Sequence, residues 1–173
     1  MKAHHLLLAV AILSLLPGTL LAERTSALRE QSQQVVEARG LTGLRVENPR
    51  GLIQVSPSRD GRIHLTALKL TTSRMSSRAQ DFARGTRVET STESGRFVVR
   101  VHYPQRQTLH ASLSQLFKGE FDLPRVEVRL SLEVPPSLPV YLETASGDLE
   151  TSGLAGSQSL QTTSGDIEVH AAA

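Results

Sequence analysis

The chain has no cysteine and no tryptophan among its 173 residues, and only four phenylalanines and two tyrosines. Without cysteine there is no disulfide framework, no thiolate metal site, no thiol nucleophile and no lipidated cysteine. With aromatics at 3%, the core must be built from Leu, Val, Ile and Ala. Charge of one sign is also missing: 19 basic residues face 17 acidic ones, a formal net charge of +2. That balance gives no electrostatic footing for a nucleic-acid binder or a polybasic membrane-surface protein. Long apolar runs are absent except at the start.

That start has the three-part layout of a secretory signal peptide. Met1 to His5 carry a single Lys, Leu6 to Leu16 are apolar apart from Ser14, Pro17-Gly18 break a helix, and Ala22 precedes the first charges, Glu23-Arg24. Residues 1–22 are therefore expected to be removed, leaving 23–173 as a single exported β domain with no transmembrane span after cleavage. An uncleaved anchor is the other reading; its stretch to Ala22 is at the short limit for spanning. The expected location is periplasmic, cell-surface or secreted.

From Gln33 onward apolar residues recur with period two. Leu44 and Val46, Ile53 and Val55, Ile63, Leu65 and Ala67, Phe97 to Tyr103, and Val126 to Leu132 alternate with polar neighbours. Gly, Pro, Asn and Asp stand between these runs, notably at Asn48-Pro49-Arg50-Gly51 and Ser94-Gly95. The pattern predicts an all-β fold of short strands with one half-buried face. Two segments depart from it. Ser77 and Gln80 have capping-box spacing, with Ala79, Phe82 and Ala83 on one side and Gly85 to stop, which predicts a short helix over 77–84. In the insertion 104–124, Leu109, Leu113, Leu116 and Phe117 recur at helical spacing. They suggest a second short helix within 105–123, laid on the sheet or serving as a partner-binding element.

The last third repeats itself. Val140–Ala155 aligns without gaps on Gln158–Ala173 at an 18-residue period, with identities at Leu142, Thr144, Ser146, Gly147, Asp148, Glu150 and Ala155. Each unit reads as strand, Ser-Gly-Asp turn, strand. Such a unit buries its apolar face only by stacking on a neighbour. Gly51 and Gly95 mark earlier, degenerate forms of the same turn. The fold expected is thus an irregular sandwich-like part over 33–134 passing into a short β-solenoid over 135–173. At the turns, Ser146, Gly147, Asp148, Ser164, Gly165 and Asp166 are expected to be structural, with both glycines at positive φ and the Ser and Asp side chains bonding local backbone.

The segments LRVENPRGLIQV, FDLPRVEVRLSLEVPPSLPVYLETASGDLETSGLAGS and QTTSGDIEV resemble the bacterial putative-adhesin family of exported β-strand repeat proteins, over roughly Val35 to Val169. The resemblance implies an extracytoplasmic β-sandwich passing into a single-handed solenoid with no assigned enzymatic activity. It supplies no catalytic residues. The chain departs from the family in having few Ser-Gly-Asp turns.

The chemistry offered by other residues is thin. Asp148 and Asp166 give one carboxylate per turn where calcium needs six to eight oxygens. His64, His102, His110 and His170 lack short metal-ligand spacing. No Gly-x-Ser-x-Gly surrounds Ser146 or Ser164. Glu143, Asp148, Glu150, Asp166 and Glu168 read as a solvated strand face rather than a catalytic carboxylate pair. Arg125 and Arg129 share a strand face, with Arg62 and Arg100 as candidate neighbours, but Glu127 and Glu133 neutralise it. No catalytic residue, metal or cofactor is expected. The function expected is a non-enzymatic adhesin-like binding or scaffolding module for an unknown protein or glycan at the envelope. The alternatives are an envelope regulatory or assembly factor docking through 104–124, and a polysaccharide-acting enzyme on a solenoid. The last strand, near Leu160 to Val169, has no following unit, so it is expected to be either the point where a longer protein is cut or a self-association edge.

Overall fold

The computed structural model describes residues 26–73, 76–104 and 125–171. The expected signal peptide, residues 1–22, and the 105–124 stretch, with Leu109, His110, Leu113, Leu116 and Phe117, lie outside them. The described chain is all-β with one short helix, α1 (Ser76–Gly85). The strands are β1 (Ser26–Glu37), β2 (Gly43–Glu47), β3 (Ile53–Pro57), β4 (Arg62–Ser73), β5 (Arg87–Glu93), β6 (Arg96–His102), β7 (Arg125–Val134), β8 (Val140–Ser146), β9 (Leu149–Ser152), β10 (Gln158–Ser164) and β11 (Ile167–His170).

They form two sheets. One is six-stranded, in the order β1-β4-β7-β3-β9-β11, and the other five-stranded, in the order β10-β8-β2-β6-β5. Alternation decides which residues face inward. Leu44, Val46, Phe97, Val99, Val101, Val140 and Leu142 from the smaller sheet meet Ile53, Val55, Ile63, Leu65, Val128, Leu130, Leu132 and Leu149 from the larger, all buried. Among the described residues Phe97 is the one Phe in this core, and β-branched and Leu side chains fill the narrow gap between the facing sheets.

Within this pair of sheets, three strand-turn-strand units lie one on another. β2, β8 and β10 pair in parallel in one sheet, and β3, β9 and β11 in the other. The register of the last two units is the repeat itself: Leu160 lies beside Leu142 and Ile167 beside Leu149. The Asn48–Gly51 turn sits over the next one, with Arg50 bridged to Ser146. The division expected near residue 135 is therefore not spatial, because β2 and β3 belong to the same stack as β8 to β11.

Glycine permits the close approach of these turns. At Gly147 an added Cβ would run into the Gly51 carbonyl, and at Gly165 into that of Gly147. Gly165 does adopt positive φ, 142°, but Gly147 does not. The requirement at Gly147 is thus for space between stacked backbones rather than for a left-handed conformation. The Ser94-Gly95 hairpin differs, with φ of 50° and 79° at its two central residues, as a tight β-turn between antiparallel strands demands.

Three other expectations shift. β1 begins at Ser26 rather than near Gln33, pairing along its whole length with β4. The helix begins at Ser76, so Ser77 lies in its first turn rather than before it. Arg100 lies on β6 in the five-stranded sheet, away from Arg125 and Arg129; Arg62 instead pairs with Glu37 of β1 at 2.9 Å. Helix α1 buries Ala79 and Ala83, and the half-buried Lys69 of β4 clasps it by donating to the Ala83 carbonyl at 2.7 Å while pairing with Glu30 at 2.9 Å.

One polar cross-tie joins the sheets at the turn side. Asn48 is completely buried. Its Nδ2 donates to the Val128 carbonyl at 2.8 Å, and its Oδ1 accepts from the Tyr103 hydroxyl at 3.0 Å. The same hydroxyl shares its one proton with the Arg50 carbonyl, at 2.6 Å, and accepts from the Val128 N–H at 3.2 Å. Burial of the ring pushes the Tyr103 phenol up to about 12.

Candidate functional site

The two ends of the sandwich differ. At one end β1 and β5 are the outer strands, and the sheets are tied together there by Thr90 Oγ1 donating to Gln34 Oε1 at 3.2 Å. Charged residues guard both of those strands: Arg29, Glu30 and Glu37 on β1, and Arg87, Glu89 and Glu93 on β5. At the other end β10 and β11 are the outer strands of their sheets, and both come from the last repeat unit.

Among the described residues, that last unit continues the inward rows with no further strand beside it. Ile167 and Val169 extend the row of Ile53/Val55 and Leu149/Thr151. Leu149 and Thr151 are buried, whereas Ile167 is 44% and Val169 54% exposed. Leu160 continues Val46 and Leu142 and is only half-buried. Unpaired backbone groups along both edges add directional hydrogen-bonding capacity to this apolar strip. The Ser-Gly-Asp turns support it: Gly147 N–H donates to the Ser164 carbonyl at 3.0 Å, Asp148 Oδ1 accepts the Asp166 N–H at 3.0 Å, and Thr162 Oγ1 donates to the Gly147 carbonyl at 3.2 Å. Asp148 thereby fastens the last unit onto the stack.

No family model matches the chain, and no curated protein matches it. Among solved structures it is similar to one described as a "putative cell adhesion protein" from Clostridium sporogenes, with 9% identity, a TM-score of 0.49, and coverage of 82% of this chain and 61% of that one. A second, a "putative adhesin" from Bacteroides fragilis, is 9% identical with a TM-score of 0.35, covering 80% of this chain and 61% of the other. A third, a "putative lipid binding protein" from Parabacteroides distasonis, has a TM-score of 0.30 at 9% identity, covering 80% and 62%. The chain thus spans about three fifths of the length of each of these structures.

Stacking also gathers side chains that lie far apart in sequence. Glu150 on β9 and Glu168 and His170 on β11 bring a ligand atom each within 4.8 Å of one another on the outer face. Spacing along the chain hides this trio, but the 18-residue offset between Glu150 and Glu168 could have revealed it. The other carboxylates singled out are dispersed: Glu143 pairs with Arg45 at 3.2 Å, and Asp148 serves the neighbouring turn. On the outer face of the five-stranded sheet, Arg45 also pairs with Glu47 at 2.6 Å, and Arg100 with Glu47 and Glu93. The Arg100 guanidinium, with help from the Ser91 hydroxyl, holds Glu93 down to about 2. Tyr141, 37% exposed, lies under the Arg96 guanidinium at 5.0 Å. Charges on this face are thus engaged with one another.

An open cavity of about 510 Å³ is lined by Pro57, Arg59, Asp60, His64 and Glu133. There His64 Nε2 lies 3.0 and 2.9 Å from the two Asp60 oxygens, and Asp60 Oδ1 accepts the Arg62 N–H at 3.1 Å. His64 and the Arg62 amide lower the Asp60 pKa, in that order of effect. This is a clasp across the β3–β4 turn, with Asp60 committed as an acceptor. His102 similarly lies 3.2 Å from Glu89 on the exposed face. Among the described residues no helix is long and apolar enough to cross a membrane.

Proposed function

We propose that the chain is an exported, non-enzymatic envelope or cell-surface module, adhesin-like in its mode of action, in which a short β-solenoid stack with Ser-Gly-Asp turns is built into a two-sheet sandwich. Its working part is the uncovered last unit, β10 and β11. The observation that carries this reading is the exposure of Ile167 and Val169 on two adjoining free edges, in register with a buried row. An edge of that kind captures partner backbone by strand addition: main-chain hydrogen bonds supply affinity and the inward row supplies apolar contact. The charges on the outer face of the five-stranded sheet pair with one another, which favours binding over polysaccharide chemistry; the close carboxylate pair among the described residues, Glu150 with Glu168, lies on the outer strand face beside His170.

A photoreactive phenylalanine analogue placed at Val169 in the producing cell tests the reading. The expected result is a covalent protein adduct in the envelope fraction from position 169 and none from position 30, on the guarded β1 edge. Absence of any adduct at 169 in correctly exported protein would remove the last unit as the working part.

A further inference from the structure

We propose that the uncovered end takes a second copy of this chain, joined head to head about a two-fold axis normal to both sheets and passing through Val169. The proposal rests on the last unit being the working part, and names its occupant.

The argument begins with the two free edges. Because β10 and β11 belong to one unit, both sheets end at the same level of the stack. A half-turn about an axis normal to the sheets keeps each sheet in its own layer and reverses strand direction. β11 then meets β11 of the second copy antiparallel while β10 meets β10. One operation continues both sheets and keeps inward side chains inward. Head-to-tail stacking is blocked, since β2 and β3 are already covered on their other sides by β6 and β7. The interface is therefore isologous and closes at two copies rather than growing a filament.

Side-chain chemistry then selects the register. Inward residues must oppose inward residues, because a one-residue slip would turn the apolar row outward. Of the registers that keep this parity, one centred on Glu168 sets that carboxylate against its own copy, which like charges disfavour. Glu168 already has Glu150 beside it on β9 and His170 of its own strand at 3.6 Å. Centring on Val169 instead sets Val169 against Val169, and Glu168 against His170 of the second copy, twice over. The carboxylate thereby faces an imidazole of the second copy rather than a second carboxylate, and the two exposed valines cover each other. Val169 and Gln161 each stand four residues from Gly165, so the axis crosses β10 near Gln161. Leu160 then lies against Thr162 of the second copy, and the outward Gln161 amides meet each other without charge.

The opposite end is unsuited to such an encounter. It is tied by Gln34 and Thr90 and bears charges along both edge strands, the usual defence against edge pairing. Its exposed Val35, at 55%, stands between Gln34 and a half-buried Val36 without a second exposed apolar residue beside it on that edge.

The test is sedimentation velocity on the exported chain from low micromolar to near-millimolar concentration. The expected result is a mass that rises to twice that of the chain. Val169→Lys should hold the protein monomeric throughout, with the melting curve of the parent chain at its dilute, monomeric limit, since residue 169 is half out of the core. Glu168→Lys should weaken association by roughly tenfold, by removing the carboxylate acceptor that faces His170 of the second copy. Glu168→Lys combined with His170→Glu should restore it, since the pair is exchanged rather than lost. A monomer at every concentration, a dimer that Val169→Lys leaves intact, or a double variant no tighter than Glu168→Lys alone would each overturn the proposal. Failure here is distinguishable from failure of the functional reading: an adduct at position 169 to a different protein, with a monomeric chain, keeps the working face and removes the second copy.

Discussion

Gly147→Ala is expected to cost at least about 3 kcal/mol of stability, enough to leave much of the protein unfolded if its total lies in the usual range of roughly 5–15 kcal/mol. The methyl group would point at the Gly51 backbone, with the Gly51 nitrogen at 2.8 Å and the carbonyl carbon at 2.9 Å, and would come closer still to the carbonyl oxygen. No flexible side chain is there to move aside. Relief requires the turns to separate, and the turns are held by Gly51 N–H to Ser146 O at 3.3 Å and Gly147 N–H to Ser164 O at 3.0 Å. Both ladders would be disturbed together, and with them the burial of Ile53 and Leu149. Gly40→Ala is the control: it has positive φ, 85°, and nothing within 4 Å of an added Cβ. It should cost only about 1 kcal/mol of backbone strain. Urea unfolding of the two variants checks the claim, and equal costs would refute a steric role for Gly147.

The second large effect is expected at Asn48. Asn48→Ala removes the donor to Val128 O and the acceptor for Tyr103, and leaves the Val128 carbonyl buried with one partner fewer. The expected cost is about 2–4 kcal/mol. The network also has a pH signature. The Tyr103 phenol is pushed up to about 12 in the folded protein, whereas an exposed tyrosine ionises near about 10. A raised folded value means that the unfolded chain loses its proton first as pH rises. Stability is therefore full below pH about 10 and declines between about 10 and 12. Tyr103→Phe should remove that alkaline decline while costing about 1–3 kcal/mol at neutral pH, from the lost bonds to Arg50 O and Asn48. Urea midpoints at neutral and alkaline pH measure both; an alkaline decline unchanged in Tyr103→Phe would place its origin elsewhere.

Much of the architecture is written in local pattern. Period-two alternation exposes β2 to β4, β6 and β7, and the repeat exposes the parallel register of β8 on β10 and β9 on β11. The N-terminal half of β1 escapes this reading because Ser26 to Gln34 form a polar outer strand, paired on one side only, whose side chains stay mostly exposed. An edge strand held by main-chain bonds leaves little trace in hydropathy. Gly147 was legible as an obligatory glycine, but its physical reason was not, since local turn chemistry says nothing of a carbonyl from residue 51. Tyr103 reads as one more inward apolar residue; its hydroxyl meets Asn48 only through the pairing of β2 with β6. The trio of Glu150, Glu168 and His170 likewise arises from stacking, so spacing along one strand cannot reveal it. What sequence did show of the candidate site is the repeat itself, which sets β10 beside β8 and β11 beside β9.

Hydrogen–deuterium exchange followed as a function of protein concentration tests the central claim, that β10 and β11 form an uncovered interaction edge. In dilute solution the amides of Leu160 to Ser164 and Ile167 to His170 should exchange far faster than those of β8 and β9, because edge N–H groups open without disturbing the core. On concentration, protection should rise on β10 and β11 and stay constant on β1 and β5. Strong protection of β10 and β11 in dilute solution, or a rise confined to β1 and β5, would contradict the account.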